Sequence, residues 1–304
     1  MNHQDMASAD ELVAQAYRAH ASGDFASTLE LSDRLLASWP THLEALLLRA
    51  MVLNDMNRPE DAAAAASEAL AVDPDSATAH LMRARAFDAI RRYTSAAEDY
   101  RFAAEAFSGT VEAAFVWLDS CRCALLAGDE HGAKQAVRRA YAHAVALRRL
   151  ILDDDFRLLD ESPRLEELRS LPILAAKVVG YLAKICLRWP SEEMVALASQ
   201  VSELSHRLLD VSFPDGERVV DAVLAEQVKV ELVLADVSIA LLLDRPADAL
   251  ALAQQLVGMS PELPAAWVAL SRAQSANGLM DEAEVSAERA TELSSLYDPP
   301  EPEE

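Results

Sequence analysis

One feature of the amino-acid sequence constrains its fold more than any other: residue types recur at a spacing of 34 residues. Ala16, Ala50 and Ala84 fall at this interval, as do Phe25, Pro59 and Tyr93, then Thr28, Ala62 and Ala96, then Leu35, Ala69 and Ala103. Pro40 and Pro74 close the first two units. Late in the chain the interval returns, pairing Ala249 with Ala283, Ala253 with Ala287 and Leu256 with Ala290. The stretch NRPEDA at Asn57–Ala62 nearly reappears as DRPADA at Asp244–Ala249. A period of about 20–50 residues marks a stacked array, in which no unit buries its apolar face alone.

Within each unit, two apolar-periodic runs of roughly 14 residues flank a short punctuated turn, so the unit reads as a helical hairpin. Small residues at the 16/50/84 and 28/62/96 positions let two helices approach closely, and Phe25 or Tyr93 fills the turn. Proline ends the unit because it cannot continue the second helix. Pro59 and Pro246 stand at first-turn positions, where a missing amide hydrogen costs little. Composition agrees: 8 glycines and 6% aromatic residues in 304 provide too few turns for many short strands. An alanine-rich hydrophobic fraction of 52% favours helix.

This pattern resembles the tetratricopeptide repeat family. In the unit Pro264–Ser295, Trp267, Gly278, Ala283 and Ala290 occupy the family's signature places, with Leu270 and Ser271 at its Leu-Gly pair. Units starting near Ala9, Leu43 and Ala77 follow the pattern, with alanine for the usual glycine at Ala16, Ala50 and Ala84. A fourth unit is in register only after a three-residue slip, through Trp117, Cys121, Gly128, Ala133 and Ala140, which predicts a first helix about one turn longer. A further hairpin is expected from Val230 to Pro261. The expected fold is all-α: a right-handed solenoid of about six to seven helical hairpins with an irregular middle. Expected boundaries are a disordered N-terminus (1–8), four repeats (9–147), an irregular helical connector with a degenerate hairpin (148–229), further repeats (230–297) and an acidic, disordered tail, DPPEPEE (298–304). The segment Asp153–Arg169 is similar to an acidic-Phe-Leu-Pro-Arg element that follows repeat arrays in bacterial proteins of the family.

Fifty acidic against 27 basic residues leave a net charge of −23, which repels phosphate backbones and anionic membranes; neither nucleic acid nor membrane is an expected partner. The excess is uneven: residues 230–304 hold 14 acids and 3 bases. Leu171–Leu187 and Val219–Leu243 are the most apolar stretches, but lysines interrupt the first, and Glu226, Lys229, Glu231 and Asp236 the second, so neither reads as a membrane span. The opening MNHQDMAS lacks a basic region followed by an apolar one, and three cysteines are too few for a disulfide framework. The expected compartment is the cytoplasm. An arginine-to-lysine ratio of 23 to 4 points to a GC-rich bacterial genome.

No glycine-rich phosphate loop, HExxH, GxSxG or CxxC motif occurs, so neither an enzyme nor a cofactor is expected, and no metal. Cys121 and Cys123 point in different directions from one helix, and His131 and His143 are not an i,i+4 pair. Asp153, Asp154 and Asp155 read as a helix start or a solvated cluster rather than a cation site. The basic run Lys134, Arg138, Arg139, Arg148 and Arg149 reads as paired internally, or otherwise as a docking spot for an acidic partner.

The family resemblance implies that first helices of successive hairpins line a concave groove. In this chain the lining would include Val13, Tyr17, Leu47, Met51, Leu81, Arg85, Phe115, Leu118 and Arg122, with Tyr17, Leu47, Met51, Leu81, Arg85, Phe115, Leu118 and Arg122 as the partner-binding set. The Lys/Asn/Arg clamp with which chaperone-binding members hold a C-terminal carboxylate is missing: Val13, Tyr17, Leu48, Thr78 and Met82 stand at its places. The expected function is a noncatalytic scaffold or adaptor that binds a partner protein or peptide in the groove. The alternative is a regulator, responsive to a peptide or small ligand, with two repeat blocks hinged at the central segment.

Overall fold

The computed structural model describes residues 3–108, 110–153, 164–209 and 222–297; for 3–8, 144, 146–153, 164–169, 208, 222, 223 and 297 it describes the helical backbone only. These residues form fourteen helices: α1 (His3–Ala21), α2 (Phe25–Ser38), α3 (Leu43–Asp55), α4 (Pro59–Val72), α5 (Ala77–Ala89), α6 (Tyr93–Ala106), α7 (Val111–Ala127), α8 (Glu130–Asp153), α9 (Arg164–Arg188), α10 (Glu192–Leu209), α11 (Ala222–Leu242), α12 (Pro246–Met259), α13 (Pro264–Ala276) and α14 (Met280–Tyr297). Adjacent helices pack as the hairpins α1/α2, α3/α4, α5/α6, α9/α10, α11/α12 and α13/α14, with no strand among the described residues. The chain divides into two compact units, Met1–Ala140 and Tyr141–Glu304, with the boundary inside α8.

The 34-residue period becomes a set of repeated local events. Phe25, Pro59 and Tyr93 each start a second helix. Ahead of each, one residue adopts the left-handed conformation that closes the tight turn: Gly23, Asn57, Arg91, Gly128, Asp244 and Gly278, with φ between 55° and 79°. Glycine adopts it freely, whereas at Arg91 it costs roughly 1–2 kcal/mol. Side chains cap several helix starts, Asp24 accepting from the Ser27 amide, Ser76 from Ala79 and Thr110 from Ala113.

The alanine columns are the helix contacts of unit 1. Ala16, Ala50 and Ala84, Thr28, Ala62 and Ala96, and Leu35, Ala69 and Ala103 are all fully buried. Deletion of side-chain bulk at these places is what allows the helices to close. Helix α7 has 17 residues where α3 and α5 have 13, the extra turn required by the three-residue slip.

Unit 2 is built differently at its start. Helices α9, α10 and α11 run 25, 18 and 21 residues and pack together through large aliphatic side chains, among them Leu174, Leu182, Ile185, Met194 and Leu232. Most of 148–229 is therefore long helix, which hides the repeat period without removing the hairpin. The stretch Ser170–Arg188 is long and apolar enough to cross a membrane, and 61% of it is buried inside the protein, chiefly against α10 and α11. Helix α1 starts at His3, inside the segment expected to be disordered. Asp154 and Asp155, most of the Asp153–Arg169 element and the tail 298–304 lie outside the described residues.

In unit 2 helices α11, α12 and α13 share one core of Val237, Ala249, Ala253, Leu256, Ala266 and Ala273. Ala253 is fully buried but Ala287, its counterpart one period later, is exposed, because no described helix follows α14. Glu284, Glu288 and Glu292 are exposed on that helix.

Candidate functional site

Repetition converts sequence spacing into a surface stripe. Tyr17, Met51 and Arg85 occupy one register on α1, α3 and α5, and Leu47 and Leu81 lie one turn earlier on α3 and α5. Tyr17 is 47% exposed and Arg85 is exposed with no ion pair among the described residues. Met51 and Leu81 are half-buried against the Ala50–Leu53–Ala66–Met82 cluster, and Leu47 against Leu46, Ala69 and Ala79. Phe115 is half-buried, whereas Leu118 is 3% exposed and belongs to the interior of unit 1.

Arg122 continues the stripe on α7, but its charge is engaged. The guanidinium donates to both carboxylate oxygens of Asp88 on α5, one at 2.9 Å, and has Asp119 at 3.7 Å. This hydrogen bonding raises its pKa further. Burial, helped by the Asp88 charge, pushes the neighbouring Cys123 thiol up to about 12, and burial also raises Tyr100. Both stay neutral at ordinary pH. A second internal network has Arg83 and His80 converging on buried Asp99, at 2.7 Å each, with His80 stacked on Phe102. Lys134 of the basic run pairs with Glu130, and together with Arg138 and Arg139 it borders a shallow surface pocket; the side chains of Arg148 and Arg149 lie outside the described residues.

Unit 2 presents a groove of about 470 Å³ across its first helices α9, α11 and α13. Leu234 and Leu241 of α11 and Val268 of α13 give it an apolar surface, and Lys177, Lys184 and Arg272 give it positive charge. Arg272 is the ninth residue of α13, as Met51 is of α3 and Arg85 of α5, so the same register reappears in this unit. The sequence carried that signal for Arg272 in the aligned unit Pro264–Ser295. Lys177 and Lys184 had no such marker, because the period fails across α9.

Among the described residues, serine, histidine and aspartate meet around Asp236. Asp236 accepts from the Ser202 hydroxyl and lies 2.7 Å from His206 Nε2. The carboxylate stands between the other two, unlike the hydroxyl–imidazole–carboxylate order of a nucleophilic triad. Cys121, Cys123 and Cys186 are buried, and no metal-binding cluster of His, Cys, Asp and Glu occurs among the described residues.

No curated protein matches the chain in sequence. A family model described as tetratricopeptide repeat matches residues 47–110, in unit 1, and 237–296, in unit 2. Among solved structures, a tetratricopeptide repeat protein from Parabacteroides merdae is similar at a TM-score of 0.54 and 12% identity, covering 94% of this chain and 93% of its own. PilF of Pseudomonas aeruginosa is similar at 0.53 and 15%, covering 90% and 99%. PilW, a widely conserved type IV pilus biogenesis factor, is similar at 0.50 and 14%, covering 86% and 96%. At these identities the likeness concerns the fold. The tetratricopeptide repeat is thus matched in both units, and helical hairpins form in each: the fold is of the tetratricopeptide repeat type, one that suggests a protein-protein interaction scaffold.

Proposed function

We propose that the chain is a noncatalytic adaptor of the bacterial cytoplasm that holds a partner protein's peptide segment on the first-helix stripe of unit 1. The observation that supports this reading is the register of Tyr17, Met51 and Arg85. Equivalent positions on the first helices of three successive hairpins leave Tyr17 and Arg85 exposed and Met51 half-buried, while the alanines beside them are fully buried. Packing requires neither a tyrosine nor an arginine without an ion pair among the described residues there. Tyr17 offers an apolar ring with a hydroxyl, and Arg85 a bidentate donor for an acidic group on the ligand. Leu47, Met51, Leu81 and Phe115 form the half-buried surround, and Arg122 orients α7 through Asp88.

The test is recovery of partners from the native host on the tagged chain at low and moderate salt, beside Tyr17→Ala and Arg85→Glu. A stoichiometric protein held by the parent chain and lost from either variant, with helicity unchanged, supports the reading. Retention by both variants retires the unit 1 stripe as the docking face. Arg122→Glu is a poor probe, since it sets a carboxylate against Asp88 and Asp119 and disturbs the helix contact itself.

A further inference from the structure

We propose that the groove across α9, α11 and α13 is a second docking site, whose occupant is an extended segment of a partner protein alternating apolar side chains with carboxylates. The site extends the adaptor reading and does not depend on the unit 1 stripe.

Charge is the first reason. Residues 230–304 contain 3 bases among 14 acids. Arg245 pairs with Asp248 and Arg289 with Glu292, each three residues along its own helix. Arg272, the remaining base, forms no ion pair among the described residues and lines the groove. Lys177 is likewise without an ion pair among them, and Lys184 has its ammonium 5.1 Å from the Tyr181 ring. In a chain of net charge −23, three cations gathered on one face, none with an ion pair among the described residues, stand ready for an external anion. Glu231 is the single acidic residue among the groove's lining, so the face stays cationic.

Apolar exposure is the second reason. Leu187 and Val268 line the same groove at 43% and 40% exposure, beside half-buried Leu234 and Leu241. Such a surface is stabilised by a ligand that covers it with apolar side chains.

Spacing decides the form of the ligand. Lys177 and Lys184 lie seven residues apart on α9, about 10 Å along the axis. Carboxylates two or four residues apart on one edge of an extended segment are separated by about 7 or 13 Å, which brackets that distance within lysine's reach. The apolar residues between them point to the opposite side of the segment, toward Leu234 and Leu241 of α11 and Val268 of α13 across the groove.

The experiment is fluorescence anisotropy of the purified full chain with a fluorescein-labelled nonapeptide alternating Glu and Leu. Matched peptides alternating Ser with Leu and Lys with Leu are the controls. The Glu/Leu probe is expected to bind, to weaken with added salt and to outcompete both controls. Lys184→Glu with Arg272→Glu should cost about tenfold or more in affinity, whereas Lys184→Arg with Arg272→Lys retains binding. Glu231→Gln should tighten binding, a gain that a misfolded variant could not show. Equal binding of the Ser/Leu probe, absence of binding, or loss in Arg85→Glu with retention in the Lys184/Arg272 double variant would overturn the assignment. The last result would move the peptide to unit 1 and leave the adaptor reading standing. Much tighter binding after deletion of residues 298–304 would also overturn it, by making this chain's own acidic segment the occupant.

Discussion

Unit 1 closes its helix contacts with alanine, at Ala16, Ala50, Ala62, Ala66, Ala84 and Ala96, whereas the first half of unit 2 fills longer helices with leucine, isoleucine, valine and methionine. Both routes yield hairpins, but they leave different surfaces. Short helices set at fixed register give unit 1 a stripe, in which one arginine, Arg85, has no ion pair among the described residues and the next, Arg122, is tied to Asp88. The longer helices of unit 2 give a groove in which Lys177, Lys184 and Arg272 share a face. Register sets where a side chain is presented, and the neighbouring hairpin determines whether its charge is available.

The contrast in packing can be broken from either side. Leu182→Ala, deep in α9, should destabilise unit 2 by about 2–5 kcal/mol, because a large side chain at zero exposure leaves a cavity that its neighbours fill only in part. Denaturant unfolding followed by circular dichroism measures this, and a loss below about 1 kcal/mol would show that the site collapses around the gap. Asp88→Asn should cost about 1.5–3 kcal/mol, since it withdraws the charged acceptor from the Arg122 guanidinium. The same change should make Cys123 titrate at lower pH, which thiol alkylation against pH would detect.

Ala84→Leu inverts the first experiment, adding bulk where unit 1 has none to spare, and should cost about 1–3 kcal/mol. Leu182→Ala and Ala84→Leu together test whether the units unfold separately: two resolved transitions, each moved by its own variant, would establish independent folding.

Alkaline titration addresses unit 1 more gently. The unfolded Cys123 thiol ionises near its ordinary value of 9.0, while the folded one holds its proton up to about 12. The fold disfavours the thiolate, so stability is complete below pH 9 and falls as pH rises toward 12, by at most about 1.4 kcal/mol per unit. Cys123→Ser compared with the parent chain between pH 8 and 12 would isolate this contribution.

The smallest effect concerns a turn. Arg91 adopts φ 60° where the equivalent turns at 23, 128 and 278 use glycine. Arg91→Gly should stabilise unit 1 by up to about 1 kcal/mol, the relief of a left-handed side chain less the added freedom of the unfolded glycine. A lowered melting temperature would mean that the arginine side chain holds the turn.

These contrasts separate what was readable in advance. The hairpins of unit 1 and of 246–297 were legible because each repeat position makes the same contact, so burial imposes the same residue type every 34 places. The breaks at Gly128 and Gly278 were legible because the turn demands a left-handed residue and glycine stands there in the repeat pattern. Arg91 was not, since its side chain carries no mark of that conformation. In α9, α10 and α11 the apolar residues serve long helices with broader contacts, and the period that would have marked hairpins disappears.

The candidate surfaces divide in the same way. Tyr17, Met51 and Arg85 followed from register together with the family resemblance. Leu118 and Arg122 stood in the same reading, yet burial of one and the Asp88 partner of the other depend on how α7 lies against α5 and α6. For the groove, the sequence placed Arg272 in register with Arg85 but gave no reason to associate it with lysines about 90 residues earlier.

The sequence by itself therefore determined the hairpin, its period, its turns and the identity of its buried columns, because these depend on contacts within a repeat and between neighbours. Only the tertiary structure decided which charges are spent inside the protein and which remain on a shared face. That outcome rests on the placement of side chains far apart in the chain, Arg122 against Asp88, and Lys184 and Arg272 on the walls of one groove, and no local pattern encodes it.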